Sequence, residues 1–524
     1  MSRIKIYDTT LRDGMQAEGV SFSLEDKVLI ARRLDEFGVD YIEGGFPQSN
    51  PKEEQFFKEL AGIRFSYAKP VAFGSTRRAA NKVEDDPGIG ALLACRMPAI
   101  TIVGKTWDLH VTDVLRCTIE ENVALCADSV SYLKSKGVEV LFDAEHFFDG
   151  YKNNPEYALK VLQAVAEAGA DVLVLCETNG GCLPHEIFEI TQTVCNTLSG
   201  VEIGIHVHND TDCAVANSLA AIRAGARQVQ GTINGLGERT GNANLCTIIP
   251  NLSLKMGFET IPESKLSTLT ELSRFVYEIA NMAPDSSMPY VGESAFAHKA
   301  GLHIDAIRKN KDTYEHINPE AVGNERRFLI SELSGASNIL DKLEKKKMVT
   351  NKNLARKILQ VVQNMENEGY QFETAEASFD ILIKKILESY TPSFKLIKYH
   401  IDIERTPAGN MITEATVKLE VDGVVEHVVS EGDGPVNALD GALRKALEKF
   451  YPNLRDMNLI DYKVRVVNAR EGTAARVRVV IESRDRQDLW GTVGVSENIV
   501  DASWLALVDS VEYKLLKDAG QLNA

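Results

Sequence analysis

The chain has 524 residues, of which 44% are hydrophobic and 25% charged, and it carries a net charge of −17. This length exceeds what one hydrophobic core can organise and predicts two or three domains. The acidic balance argues against nucleic acid or an anionic membrane as the main partner, and no apolar run reaches bilayer length. The chain opens Met1–Ser2–Arg3–Ile4, strand-like and without a leader-type apolar stretch. Its 8 cysteines are scattered, with no Cys-x-x-Cys pair. Reduced thiols and a cytoplasmic location are therefore the expectation.

From Ile4 to about Met256 short apolar runs alternate with amphipathic helical segments. The runs are Ile4–Tyr7, Val39–Ile42, Pro70–Phe73, Ala99–Val103, Val138–Phe142, Val172–Cys176, Glu202–Val207 and Gln228–Ile233. Eight such units at about thirty residues each predict a (β/α)8 TIM barrel over residues 1–260. Runs apolar on both faces, such as Val172–Leu175, suit parallel strands covered by helices. Ser23 can cap a helix that Gly38 closes, and Pro155 and Pro184 stand where helices begin. An open doubly wound sheet is the competing fold. The unit count disfavours it, and the first strand–helix turn lacks Gly-x-Gly-x-x-Gly.

A barrel gathers its chemistry at the C-terminal ends of its strands. Here those ends carry Arg12 and Asp13, Glu43, Lys105, Asp143 and Glu145, Glu177 and Thr178, and His206 and His208. Strand positions i and i+2 share a face, so His206 and His208 present two imidazoles side by side. A third ligand of carboxylate type would complete a two-His-one-carboxylate site. His-x-His alone is a weak signal; its convergence with so many ionisable groups on one rim is the stronger one.

Beyond the barrel, residues 261–390 read as a mostly helical linker, with amphipathic stretches at Leu266–Asn281 and Asn353–Asn367. Residues 391–524 change character. Leu396–Ile403, Thr413–Val421 and Val424–Ser430 precede a helix at Pro435–Phe450; Lys463–Asn468, Ala474–Glu482 and Leu489–Ser496 precede another at Val500–Leu516. This is a C-terminal α+β domain of two βββα repeats, with Asp422–Gly423 as a hairpin turn. A repeat without a catalytic cluster suggests regulation or dimerisation.

Three motifs in this order, Asp8–Gly14 (DTTLRDG), His206–Asp210 (HVHND) and Gly235–Asn242 (GLGERTGN), resemble those of the metal-dependent Claisen-condensing synthases. That family includes the isopropylmalate, homocitrate and citramalate synthases, with the hydroxymethylglutaryl-CoA lyases as relatives. Ile42–Pro47 (IEGGFP) and Lys105–Val111 (KTWDLHV) are most similar to the citramalate synthases among them. The Gly-rich loop has no Cys, unlike the lyases, which favours a synthase.

The resemblance implies an acyltransferase that condenses acetyl-CoA with a 2-oxo acid, pyruvate being the expected one. It implies Asp13, His206 and His208 as ligands of a divalent Mn, Mg or Zn, with Asn242 in or near the shell. Arg12 would contact the substrate carboxylate or the developing alkoxide; a salt bridge to Glu43 is its structural alternative. Thr178 would meet the substrate carboxylate. Glu145, His303, Asp305 and Tyr314 would serve the proton chemistry, with Asp305 orienting His303 from a loop. Asp143, with Ile102 and Val103, would line the pocket for the substrate's alkyl end. The resemblance also implies a homodimer and isoleucine as feedback effector. An isopropylmalate or homocitrate synthase differs only in the 2-oxo acid. A non-catalytic amino-acid sensor is the reading from another class, and it has no use for Arg12, Asp13, His206, His208 and His303 together.

Overall fold

The structure is a computed structural model that describes residues 2–329, 352–405, 411–467 and 475–522. Part of the expected linker, residues 330–351, lies outside them. The chain divides into two compact units, one of residues 1–296 and 316–326, the other of residues 297–315 and 327–524.

Unit one is a closed eight-stranded parallel barrel in strict sequence order. Its strands are β1 (Lys5–Asp8), β2 (Tyr41–Glu43), β3 (Lys69–Ser75), β4 (Ala99–Lys105), β5 (Glu139–Glu145), β6 (Val172–Glu177), β7 (Glu202–Val207) and β8 (Gln228–Gly231). Closure comes from β1 pairing with β8 in the register Lys5↔Gln228 to Asp8↔Gly231. Local chemistry supports the elements. Ser23 and Asp26 form a capping box for the helix Leu24–Phe37, and Gly38 ends it with φ 98.

Strand alternation divides the barrel's side chains into two cores. Ile4, Ile6, Ile42, Ile100 and Ile102 face the helices in the large outer core. Tyr7, Tyr41, Val71, Ala99, Leu141, Val172, Val174 and Cys176 pack together in the interior. Each further step of two residues up a strand then brings a polar side chain: Glu43 above Tyr41, Thr101 above Ala99, and Asp143 above Leu141, all buried. An apolar floor thus carries a polar upper layer. Ile102 is a correction to the sequence reading. It sits one step out of register with Thr101 and Val103, faces the helices, and does not line the interior.

The barrel unit also extends further than residue 260. The helix Leu269–Ile279 presents Leu269, Leu272 and Val276 to the barrel's outer core, all three buried. Ser273 on the same face donates to Asn234 Oδ1 and accepts from Asn234 Nδ2 at 2.9 Å through its carbonyl. An amphipathic helix buries its apolar stripe wherever one is offered, and here the barrel offers it.

Unit two contains two three-stranded antiparallel sheets: β11 (Lys395–Arg405), β12 (Met411–Val421) and β13 (Val424–Gly432), then β14 (Asn458–Val466), β15 (Val477–Arg484) and β16 (Leu489–Ser496). The helix Pro435–Leu447 follows the first and Ile499–Asp518 the second. The two βββα repeats share one core that includes Val417, Leu419, Leu439, Leu443, Ile481 and Leu507. Their far faces differ. On the first sheet Lys398, His400, Asp402, Glu414 and Lys418 fall on the outer face by register. On the second, Val480, Val493 and Val495 pack with Ile358, Val362, Phe379 and Ile383 of the helices Lys352–Asn367 and Glu376–Ile386. The helix Glu376–Ile386, read from sequence as linker, is therefore the cover of the second sheet.

Candidate active site at the barrel mouth

β7 ends by placing His206 and His208 on one face, as the i, i+2 spacing requires. Their Nε2 atoms lie 3.4 Å apart. Asp13 Oδ2, from the turn after β1, lies 3.2 Å from His206 Nε2 and 4.0 Å from His208 Nε2. Among the described residues this is the group in which three such side chains converge, and all three are buried. Metal–ligand bonds of about 2.1 Å at right angles put neighbouring ligand atoms roughly 3 Å apart. The observed spacings suit a divalent ion at their centre.

The electrostatics agree. Burial disfavours charge on Asp13, but Arg12 beside it and the hydrogen-bonded His206 more than offset that, so its carboxyl ionises well below the usual range. Burial followed by the neighbouring His206 pushes His208 down to about 3, leaving it a neutral imidazole. On His206, Nδ1 lies 3.0 Å from Gln230 Oε1. That contact with the amide oxygen orients the ring with Nε2 toward the cluster. Gln230 Nε2 in turn donates to Asp143 Oδ1 at 3.2 Å. Burial, then Glu43, raises the Asp143 carboxyl to about 7. Asn242 Nδ2 donates to Asp13 Oδ2 at 2.7 Å, while its Oδ1 is buried without a partner.

Arg12 forms the salt bridge that the sequence offered as an alternative. Its Nε bonds Glu43 Oε1, its Nη1 is 3.4 Å from Asp13 Oδ2, and its guanidinium lies 4.2 Å over the Phe73 ring. Glu43 is fully buried and also accepts from Tyr7 Oη at 2.6 Å. Thr178 Oγ1 accepts from the His146 backbone N–H at 2.9 Å, which leaves its hydroxyl proton free. Glu145 pairs with Lys105.

Arg12, Asp13, Asp143, Glu145, Thr178, His206, His208 and Asn242 thus all belong to the barrel's C-terminal rim. His303 and Tyr314 belong to unit two, where their rings stack with centroids 4.1 Å apart and planes at 25°. The expected orienting role of Asp305 meets a contrary geometry. Residues 301–309 form a helix, not a loop. Helix positions two apart face away from one another, and Asp305 pairs instead with Lys309, one turn on, at 2.6 Å.

Sequence reasoning missed Gln230, Tyr7 and His146. Gln228 and Gln230 are polar residues two apart in an otherwise apolar strand, a visible sign of inward-facing polar side chains. Nothing in the sequence marks the left-handed backbone of His146, with φ 56, that lets its N–H reach Thr178.

Residues 3–276 match the HMGL-like family, residues 290–370 the homocitrate synthase post-HMGL domain-like family, and residues 373–515 the LeuA allosteric (dimerisation) domain. An (R)-citramalate synthase of Aquifex aeolicus is 56% identical, over 98% of each chain. One of Geobacter sulfurreducens is 55% identical, over 99% of this chain and 98% of its own. A probable 2-isopropylmalate synthase of Methanopyrus kandleri is 34% identical, over 97% and 98%. With both the barrel motifs and the whole-length identity pointing one way, the chain belongs to the HMGL-like family and, within it, to the (R)-citramalate synthases.

Proposed function

We propose that the barrel joins pyruvate to acetyl-CoA and, with water, releases (R)-citramalate and CoA. The observation that carries this is the convergence of Asp13, His206 and His208 beside Arg12 at the barrel mouth. These three would hold a divalent Mn, Mg or Zn, with Asn242 alongside through its bond to Asp13. Such an ion, when bound, polarises a 2-oxo acid's keto group.

The chain's own groups do the rest. Glu43 takes the Nε of Arg12 and so fixes the guanidinium plane, leaving Nη2 to donate to a substrate oxygen. Thr178 is set by His146 to donate its hydroxyl proton to the carboxylate. Phe73 and Val103 supply apolar wall, and Asp143 closes the floor through Gln230. His303, with Tyr314 against its ring, is the base that removes the methyl proton of acetyl-CoA. General-base removal of this kind contributes about 10²–10⁴-fold. Asp305 shares the helix of His303 without orienting it.

Unit two regulates. Its cavity of about 590 Å³ is lined by Val436, Asn437, Asp440, Arg444, Leu459 and Tyr462, among others. Its apolar side chains lie beside the Asp440–Arg444 ion pair, and isoleucine is the effector expected for this product. The LeuA-type domain makes a homodimer the expected assembly, and a cytoplasmic location is part of the same reading.

The test is CoA release with acetyl-CoA and a panel of 2-oxo acids. Pyruvate should give the highest kcat/KM; preference for a longer 2-oxo acid would sink the assignment.

A further inference from the structure

The segment that carries His303 has an unusual neck. Residues 297–315 belong to unit two, while the chain on both sides of them belongs to unit one. On the unit-one side, Phe296 and His316 stack with centroids 6.0 Å apart and planes at 19°. On the unit-two side, His298 Nε2 lies 3.1 Å from Glu315 Oε1. Both side chains are largely buried, at 12% and 3% exposure. His298 is held further by its strand. β9 (Ala297–His298) pairs with β10 (Arg327–Phe328), and Leu329 N–H donates to the His298 carbonyl at 2.9 Å.

Between these ends the chain makes the helix Gly301–Lys309 and the short turn Lys311–Thr313. It returns at Tyr314, adjacent to Glu315, with the Tyr314 ring on that of His303. His303 and Tyr314 are both exposed, and their stack is a weak contact that cannot by itself hold eleven residues' separation in register. Closing the excursion at its ends removes much of the freedom that the pair would otherwise have to lose.

We propose that His298 and Glu315 are positioning residues: their hydrogen bond closes the neck of this excursion and so delivers His303 and Tyr314 as one preassembled group. This rests on the reading of His303 as the base. His298 and Glu315 do not touch substrate. Their effect is confined to the geometry of proton removal, where a displacement of about 1 Å can cost on the order of 100-fold.

The experiment compares His298→Ala, His298→Gln, Glu315→Ala, the double His298→Ala/Glu315→Ala, and His303→Ala, all in the full chain. The readouts are kcat, KM for pyruvate, bound metal, and exchange of acetyl-CoA methyl protons with solvent. His298→Ala and Glu315→Ala should each lower kcat and methyl exchange roughly 10- to 100-fold, with pyruvate KM and bound metal unchanged. The double should be no worse than either single, because both break one link. His298→Gln keeps a donor for Glu315 and should recover most of the loss. Unchanged exchange in the single variants, or a double that multiplies their losses, overturns the clasp. A His298→Gln variant as inactive as His303→Ala also overturns it, since His298 would then move the proton itself. Full exchange in His303→Ala would instead remove the base reading, which the other variants do not test.

Discussion

Lys27 is fully buried in the barrel unit, and removing its amine should show what that costs and what it holds. Its Nζ donates to both Glu53 carboxylate oxygens and to the Gly44 carbonyl, each at 2.7 Å, with the Phe56 ring 4.4 Å away. It ties the helix Leu24–Phe37 to the helix Pro51–Ala61 and to the residue after Glu43. Burial, opposed by the pull of Glu53, brings its pKa down to about 8. Desolvation therefore outweighs the attraction. A pair of this kind is costly to break and cheap to replace.

Lys27→Met leaves Glu53 buried without its cation and should cost about 3–5 kcal/mol. Lys27→Met/Glu53→Leu removes both charges and should return to within about 1–2 kcal/mol of the parent. Urea unfolding read by Trp107 alone, in a Trp490→Phe/Trp504→Phe background, isolates the barrel from the other unit. The pH dependence gives a second reading with a definite sign. The folded pKa lies below the unfolded one, so between about 8 and 10.4 the unfolded chain binds more protons and the Lys27 contribution rises with pH. The stability difference between the parent and Lys27→Met should widen across that window. A single substitution costing under about 1 kcal/mol, or a double as damaged as the singles combined, refutes the reasoning.

Three further outcomes follow from the other sites. Chelation should abolish CoA release and a divalent ion should restore it, with His206→Ala losing most bound metal while the barrel stays folded; normal turnover by metal-free enzyme would contradict the proposed site. Asp485, held by Lys514 at 2.8 Å and Lys517 at 2.7 Å, ionises below the usual range because those two outweigh its burial. Asp485→Asn should destabilise unit two at neutral pH, and the parent's advantage should shrink as pH falls below the unfolded value of about 3.9 toward the lower folded one; a difference that does not narrow below about 3.9 would be inconsistent with the pairing. Isoleucine should lower acetyl-CoA use through a coupling of about 1–3 kcal/mol, and Tyr462→Ala should weaken isoleucine binding by calorimetry without changing basal turnover; an unaltered isotherm would place the effector elsewhere.

How much of this was legible depended on the range of the interaction. The convergence of Asp13, His206 and His208 could be read because two of them share one strand and the third follows another, so spacing and barrel topology sufficed. Ile102 was misassigned because a one-residue slip in a strand reverses the face, and neither Ile102 nor Val103 signals which way β4 is registered. Asp305 was placed beside His303 on the assumption of a loop. The run Leu302–Arg308 carries buried Ile304 and Ile307 at helical spacing, and that periodicity would have turned Asp305 away. Gln230 reaches His206 and Asp143 only after strands distant in sequence have closed the barrel, which no local pattern can show. The place of Leu269–Ile279 was hidden for a related reason: amphipathicity tells that the helix needs a partner, not that the barrel is the one it finds.

The unequal far faces of the two C-terminal sheets mean that the repeats are no longer interchangeable parts. The backbone plan is written twice, yet only the second copy has kept a greasy back for Phe379 and Ile383 to rest on. Transplanting the first repeat's strands into the second position would set charged residues such as Lys418 and Glu414 beneath those helices, and burying unpaired charge is prohibitive. Transplanting in the other direction would leave Val493 and Val495 facing water. Each copy is thus committed to its own place in the chain, and shuffling them offers no route to a longer array.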